Sequence, residues 1–310
     1  MTVSLETAPI SPTRAATSIV TILIVLAGLV PTIESNAAPS SLRIVSQVPS
    51  LTEILYAMGA DDLLAGVTDF CLYPPAAKDK PSIGGIINPD LERLLALRPD
   101  LVLLQDTQRA FVEKYEKLGL RTLVVKADSV RDVLDSILLI GRAVDREAAA
   151  RRLHDSLQEK LARLRRRTEH LVQPSVLVVI GHEPGSLREL YAAAGGSYHD
   201  ELLTLAGGRN CLASGPMLYA KISKEEILMR SPQVIVVLSA VPSTLDAARE
   251  ERALWAGLPY LDAVKRNRVH LLGGGYMLVP GPRLTDLAGD LFQVLHPEAE
   301  EPAAGGARDE

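Results

Sequence analysis

The chain has 310 residues, 47% of them hydrophobic and 23% charged, enough apolar material to bury one large core or two ordinary ones. A formal net charge of -5, with no Lys/Arg run flanked by aromatic residues, excludes a broad basic surface for nucleic acid. Two cysteines are too few for a disulfide scaffold, so packing must hold the fold.

Arg14, the apolar run Ile19 to Val30, Pro31 and the small polar stretch Ser35-Asn36-Ala37-Ala38 follow the order of a secretory signal. Residues 1–37 are therefore expected to be a signal peptide, cut after Ala37, that sends the chain to the periplasm. As a helix the run would span only about 18 Å against a hydrocarbon core of roughly 30 Å, which disfavours a transmembrane anchor. A retained anchor stays open because Arg14 is offset by Glu6. No cysteine lies near the cut to carry a lipid. Cys71 and Cys211 could pair in an oxidising compartment or remain two buried thiols, and the sequence leaves both open.

From Leu42 onward, short apolar runs alternate with amphipathic stretches. The expected strands are Arg43 to Ser46, Leu64 to Val67, Leu101 to Leu104, Thr122 to Val125, Val176 to Ile180, Val234 to Leu238 and Val269 to Leu272. Continuous apolar strands separated by helices imply parallel sheets buried on both faces, hence an α/β protein. Residues 145–171 lack Gly and Pro and are rich in Ala, Leu, Arg, Glu and Gln, which predicts one helix roughly 40 Å long. Its stripe of Leu153, Leu157, Leu161, Leu164 and Leu171 suits either a strut along two bodies or an ordinary surface helix. The expected organisation is an N-terminal lobe over 42–144, the linking helix, a C-terminal lobe over 172–297 and a disordered tail over 298–310.

The flanks of that helix repeat one another. Asn88-Pro89-Asp90-Leu91-Glu92 opens a short helix that stops at Arg98-Pro99, and Ser223-Lys224-Glu225-Glu226 opens one that stops at Ser231-Pro232. Asn88 is expected to cap the first, with Pro89 at the first helical position, while Ser223 and Glu226 have the spacing of a capping box. Glu92 and Glu225 each lie seven residues before the closing proline. An acidic first turn offsets the helix dipole; the matched spacing adds a pair of equivalent surface carboxylates. His182 and Glu183 follow a strand end, where α/β crevices open, and either form a polar loop with a solvated histidine or meet a ligand or its metal. No two histidines have metal-site spacing.

Several stretches resemble the periplasmic binding proteins for cobalamin, haem and ferric siderophores. In the first half they are Ile44-Val45-Ser46, Leu51-Thr52-Glu53-Ile54-Leu55, Ala57-Met58-Gly59, Tyr73-Pro74-Pro75, Gly84-Gly85, Leu91-Glu92-Arg93 and Leu97-Arg98-Pro99-Asp100-Leu101-Val102. In the second they are Ala206-Gly207-Gly208-Arg209-Asn210, Ile222-Ser223-Lys224-Glu225, Arg230-Ser231-Pro232 and Pro280-Gly281-Pro282-Arg283. The resemblance spans residues 42 to 297 and is strongest to the cobalamin-binding members. It implies two Rossmann-like lobes joined by one long helix, a ligand cleft between them, little hinge motion, and no catalytic cofactor. It further implies a monomer that gives its ligand to the permease of an ABC importer, with Glu92 and Glu225 docking on permease arginines. The aromatic cleft positions carried over are Phe70, Tyr219 and Tyr276, with Tyr191 and Tyr198 nearby. A tryptophan of the cobalamin pattern falls at Ile86 and an acidic position at Gly275, so haem or a ferric siderophore stays open beside cobalamin or a related corrinoid.

An enzyme is the rival class, but there is no nucleophile elbow, Walker loop or Gly-x-Gly-x-x-Gly after the first strand. Gly273-Gly274-Gly275 comes too near Pro280 to open a phosphate-binding helix. A sensor that reports cleft occupancy to a membrane receptor is a third alternative.

Overall fold

The structure, a computed structural model, describes residues 42–299. The expected leader, residues 1–37, and the expected tail from residue 300 onward lie outside the described residues. Residues 298 and 299, assigned to that tail from the sequence, belong instead to a 3-10 turn, Pro297–Ala299.

In the first lobe, strands β1 (Ile44–Ser46), β2 (Leu64–Val67), β3 (Leu101–Gln105) and β4 (Thr122–Val125) alternate with helices α1 (Pro49–Ala57), α2 (Leu91–Ala96), α3 (Val112–Lys117) and α4 (Val130–Ala143). The strands form a parallel sheet in the order β2-β1-β3-β4. β1 is buried throughout and β3 over Leu101, Val102, Leu103 and Leu104, which is why both are unbroken apolar runs in sequence. Alternate side chains feed two cores. Ile44, Leu101 and Leu103 pack with α1 and α4, whereas Val45, Val102 and Leu104 join Leu94 and Tyr115. α1 opens on Pro49, whose missing N–H costs nothing at a first helical position.

The expected cap on α2 is corrected. Asp90 rather than Asn88 caps it, accepting from the Arg93 amide at 3.0 Å. Asn88 lies outside because Pro89 bridges to Gly84 in an antiparallel contact, which holds the chain extended until Asp90.

The linking helix, α5 (Glu147–Thr168), has 22 residues and is about 33 Å long. It is shorter than the expected 145–171 because Asp145 sits at φ 55, a left-handed residue that no helix accommodates. At the other end the Thr168 hydroxyl donates to the Leu205 carbonyl. Arg165, Arg166 and Arg167 crowd the last turn, where cations oppose the dipole. Leu157, Leu161 and Leu164 are buried in one cluster that also holds Ile44 of the first lobe and Val236 of the second. The helix is therefore a strut within a shared core.

The second lobe contains β5 (Ser175–Gly181), β6 (Leu190–Ala193), α6 (Tyr198–Leu205), β7 (Arg209–Asn210), β8 (Tyr219–Ile222), α7 (Lys224–Arg230), β9 (Val234–Ser239), α8 (Leu245–Trp255), α9 (Asp262–Lys265), β10 (Val269–Gly273) and α10 (Leu284–Leu295). Its sheet runs β10-β9-β5-β6-β8, with β7 beside β5. β5, β9 and β10 are parallel as expected, but β6 and β8 are added antiparallel. These two escape a search for apolar runs because each has only four residues, interrupted by Tyr191 in one and by Lys221 opposite it in the other. The two cysteines are free thiols, one in each lobe. Cys71 Sγ lies 3.1 Å from the Thr52 hydroxyl, and burial pushes the Cys211 thiol up to about 11.

Leu161→Ala should cost about 2 to 5 kcal/mol, the range for emptying a buried leucine site. Because Leu161 belongs to the core of both lobes, thermal melts followed by far-ultraviolet circular dichroism should still show one transition, shifted down. Two separated transitions would show that the lobes do not share their stability.

Candidate functional site

The carboxyl ends of both sets of parallel strands open onto one crevice, the place where open α/β sheets take ligands. Val48, Pro49 and Ser50 follow β1, Phe70 and Tyr73 follow β2, and Gln105 ends β3. From the other lobe come Ala240 after β9 and the segment from Gly275 to Arg283 after β10. Together they enclose a cavity of about 520 Å³, within the usual size range of small-molecule pockets.

One ion pair crosses the floor of this cleft. Arg283, just before α10, donates from Nε to Glu53 Oε2 at 2.9 Å and from Nη2 to Glu53 Oε1 at 2.6 Å. Glu53 stands on α1 with a side chain 3% exposed, against 16% for Arg283. Two short parallel bonds are the strong, directional form of this pairing. The guanidinium lies over two rings, its Cζ 3.8 Å from the Tyr73 centroid and 5.1 Å from that of Tyr276. Burial pushes the Glu53 carboxyl up, with Arg283 opposing. The second-lobe loop lies against α1 at Gly281, where a Cβ would stand in ordinary contact, 3.5 Å from Ser50 Cα and from Glu53 Oε2.

A model of the periplasmic binding protein family matches residues 44–275. The chain belongs to that family. It is a solute-binding protein and not an enzyme. An uncharacterised ABC transporter substrate-binding lipoprotein of Bacillus subtilis is 27% identical, the match covering 83% of this chain and 80% of the relative. A vitamin B12-binding protein of Vibrio cholerae is 26% identical over 83% of this chain and 90% of its own length. Among solved structures, a periplasmic haem-binding protein of Pseudomonas aeruginosa superposes with a TM-score of 0.71 at 25% identity, covering 83% of this chain and 94% of that one.

Within this binding protein the five aromatic positions carried over from the resemblance separate. Phe70 lines the cavity and is 58% exposed. Tyr276 does not line it. Its hydroxyl donates to Asp290 on α10 at 2.6 Å, and burial together with that carboxylate pushes it up to about 12. It backs Arg283 from behind. Tyr198 is buried at 3% exposure in the core, so the expected ligand contact is corrected: the first residue of α6 is needed for packing. Tyr219 opens β8, and its hydroxyl is 3.2 Å from His199 Nδ1. His199 Nε2 faces the Met277 carbonyl at 2.9 Å and must carry the ring proton, so Nδ1 accepts from Tyr219. Burial pushes that histidine down to about 4. Tyr191 is exposed on β6, beside Gly181 at the carboxyl end of β5.

The residues that sequence reasoning did not single out are Glu53, Tyr73, Gln105 and Arg283. A signal was present for Glu53, a lone carboxylate among Leu51, Ile54 and Leu55 on a helix whose other face is also apolar. A charge so placed is buried and needs a partner.

Glu92 and Glu225 both occupy the second position of their short helices, α2 and α7, and both are exposed. Ser223 caps α7 as expected by accepting from the Glu226 amide, but Glu226 pairs with Arg230 instead of closing the box. The Ser223 hydroxyl and Glu225's own amide hold the Glu225 carboxyl low, the amide contributing more.

His182 is held by protein partners. Its Nδ1 faces the carbonyls of Glu183 and Ser186 at 2.9 and 3.0 Å, and its Nε2 faces Glu251 at 3.1 Å. Three acceptors require both nitrogens to be protonated. The Glu251 bond outweighs burial and pushes the imidazole up to about 9. Trp255 donates to the other Glu251 oxygen at 2.8 Å, so the pair pins the loop after β5 onto α8. A raised histidine pKa stabilises the fold fully below its ordinary 6.5, and that contribution disappears as pH rises through about 9. Melting temperature should therefore fall over that interval in the parent protein. Glu251→Gln, which keeps an oxygen for Trp255, should lie lower at neutral pH and flatten the slope; an unchanged slope would remove His182 from the titration.

Proposed function

We propose that this binding protein captures cobalamin or a related corrinoid in the interlobe cleft, in the periplasm, and delivers it to the membrane permease of an ABC importer. The observation that carries this is the make-up of the cavity: aromatic and aliphatic walls from Phe70, Leu72, Tyr73 and Ile86, carboxamides from Gln105 and Gln108, and, among the described residues, no histidine or cysteine lining it. Such a wall suits a flat, bulky chelate whose metal keeps its own ligands. The enclosed volume holds one part of a macrocycle, and Phe70, Leu72, Ile87 and, across the cleft, Val241 extend an exposed apolar rim for the remainder. The vitamin B12-binding relative supports the same ligand class. Haem is the second reading. It is favoured by Tyr73, a half-exposed phenol beside the Arg283 guanidinium at the cavity wall, since a phenol oxygen is a ligand that ferric haem iron takes.

Cobinamide, cobalamin and haemin, titrated separately with visible absorption and calorimetry as readouts, test the proposal. Saturable binding of the corrinoids is expected, and Phe70→Ala should weaken it by about 1 to 4 kcal/mol, as for a ring packed on a ligand. Binding of haemin alone, with a shifted Soret band lost in Tyr73→Phe, would replace the corrinoid by haem.

Delivery requires a surface that the permease can recognise. Glu92 and Glu225 supply equivalent exposed carboxylates, one per lobe. Exposed pairs are individually worth roughly 0 to 1 kcal/mol, so each single reversal should reduce uptake only in part. The double variant Glu92→Arg, Glu225→Arg should abolish uptake by the reconstituted importer while calorimetry shows unchanged ligand affinity. Full uptake by the double variant would exclude these residues from docking.

A further inference from the structure

The strands that open the interlobe cleft at their carboxyl ends border a second cavity at their amino ends. It has a volume of about 910 Å³ and is lined by Gln233 before β9, by Arg266, Arg268 and His270 around the start of β10, and by His296 and Glu298 beyond α10. Two guanidinium groups and two imidazoles thus meet a single carboxylate, in a chain whose net charge is -5. Neither arginine pairs with a carboxylate among the described residues. Arg268 uses Nη2 to cap the end of α10, donating to the carbonyls of Val294 and Leu295 at 3.1 and 2.8 Å. That cap neutralises the negative end of the helix, which would otherwise repel an anion. The other guanidinium nitrogens of Arg268 make no protein hydrogen bond among the described residues, and the buried Nε2 of His270 has no partner there either.

The cations also act on one another. Burial lowers the pKa of Arg268, and Arg266 lowers it further; burial lowers that of His270, with Arg268 and Arg252 of α8 adding to the effect. Repulsion between these groups, with Glu298 the one carboxylate lining the cavity among the described residues, is relieved when an anion enters. We propose that this cavity is a second binding site, taking a compact oxyanion of the phosphate type, either a free phosphate or the phosphate of a lipid headgroup. A planar guanidinium fork matches phosphate oxygens in pairs, and the carboxamide of Gln233 adds a neutral donor. This site lies at the opposite sheet edge from the cleft and does not depend on what the cleft binds.

The test uses the full chain with inorganic phosphate and pyrophosphate as free probes, titrated by calorimetry at fixed ionic strength. Vesicles of phosphatidylglycerol in phosphatidylcholine serve as the lipid probe, followed by co-sedimentation. Saturable binding by one probe or the other is expected, and which one binds identifies the source. Arg266→Ala, an exposed position that folding does not need, should weaken it at least tenfold, and Arg266→Glu should abolish it. Arg268→Lys keeps the charge but loses the fork and should weaken binding while circular dichroism confirms an intact fold. Corrinoid titrations should be unchanged in all three variants. Absence of saturable binding by every probe, or equal binding by the parent and the Arg266 variants, would overturn the site.

Discussion

The pairing of Glu53 with Arg283 fixes where everything else in the cleft can be. One partner belongs to α1 and the other to the loop before α10, so a single bidentate contact ties residues 230 positions apart. Burying either charge alone would cost several kcal/mol, and removing one partner leaves the other stranded. Neither lobe therefore tolerates the other's displacement. The tyrosines on either side of the guanidinium extend this constraint. Tyr73 enters from the first lobe, while Tyr276 is held against α10 by Asp290. Arg283 is thus fixed in plane and in tilt, and with it the loop that walls the cavity from below.

A second constraint comes from the core. Side chains of β1, α5 and β9 pack in one continuous cluster, so α5 acts less as a tether between bodies than as their common wall. The first-lobe helix α4 is also locked across the junction, for its first amide, at Val130, donates to Glu201 of α6 at 2.7 Å, and the Tyr198 amide donates to the Asp128 carbonyl at 2.7 Å. Contacts of this density resist hinge closure. That agrees with the little hinge motion that the resemblance implies.

The strands were legible because burial on both faces demands unbroken apolar runs, and Leu101-Val102-Leu103-Leu104 could hardly be anything else. The same rule hides β6 and β8, four-residue strands whose apolar pattern is broken by Tyr191 and Lys221. The repeat was legible in Glu92 and Glu225 because caps and prolines act locally. The cleft was much less so. Tyr198, Tyr219 and Tyr276 are identical in sequence character, yet one is core, one serves a histidine and one supports an arginine, since a tyrosine's role depends on which partner its hydroxyl finds. Arg283 and Glu53 were invisible as a pair for the same reason. Their contact spans the whole chain, and no local spacing encodes it.

The two short helices show how a local rule can set a long-range geometry. α2 and α7 each end on a left-handed residue directly before a proline, Arg98 at φ 45 and Ser231 at φ 41. Proline cannot extend the helix, and the left-handed residue turns the chain sharply into the following strand, β3 or β9. Because both strands are central and buried, the turn fixes each helix relative to its own sheet, and the shared core fixes the sheets relative to each other. The spacing between the carboxylates of Glu92 and Glu225 is then a property of the scaffold rather than of flexible side chains alone. A partner that reads both at once meets a preset separation. Two weak exposed charges held at a fixed separation would reinforce one another on such a partner, because the second contact then forms within one complex.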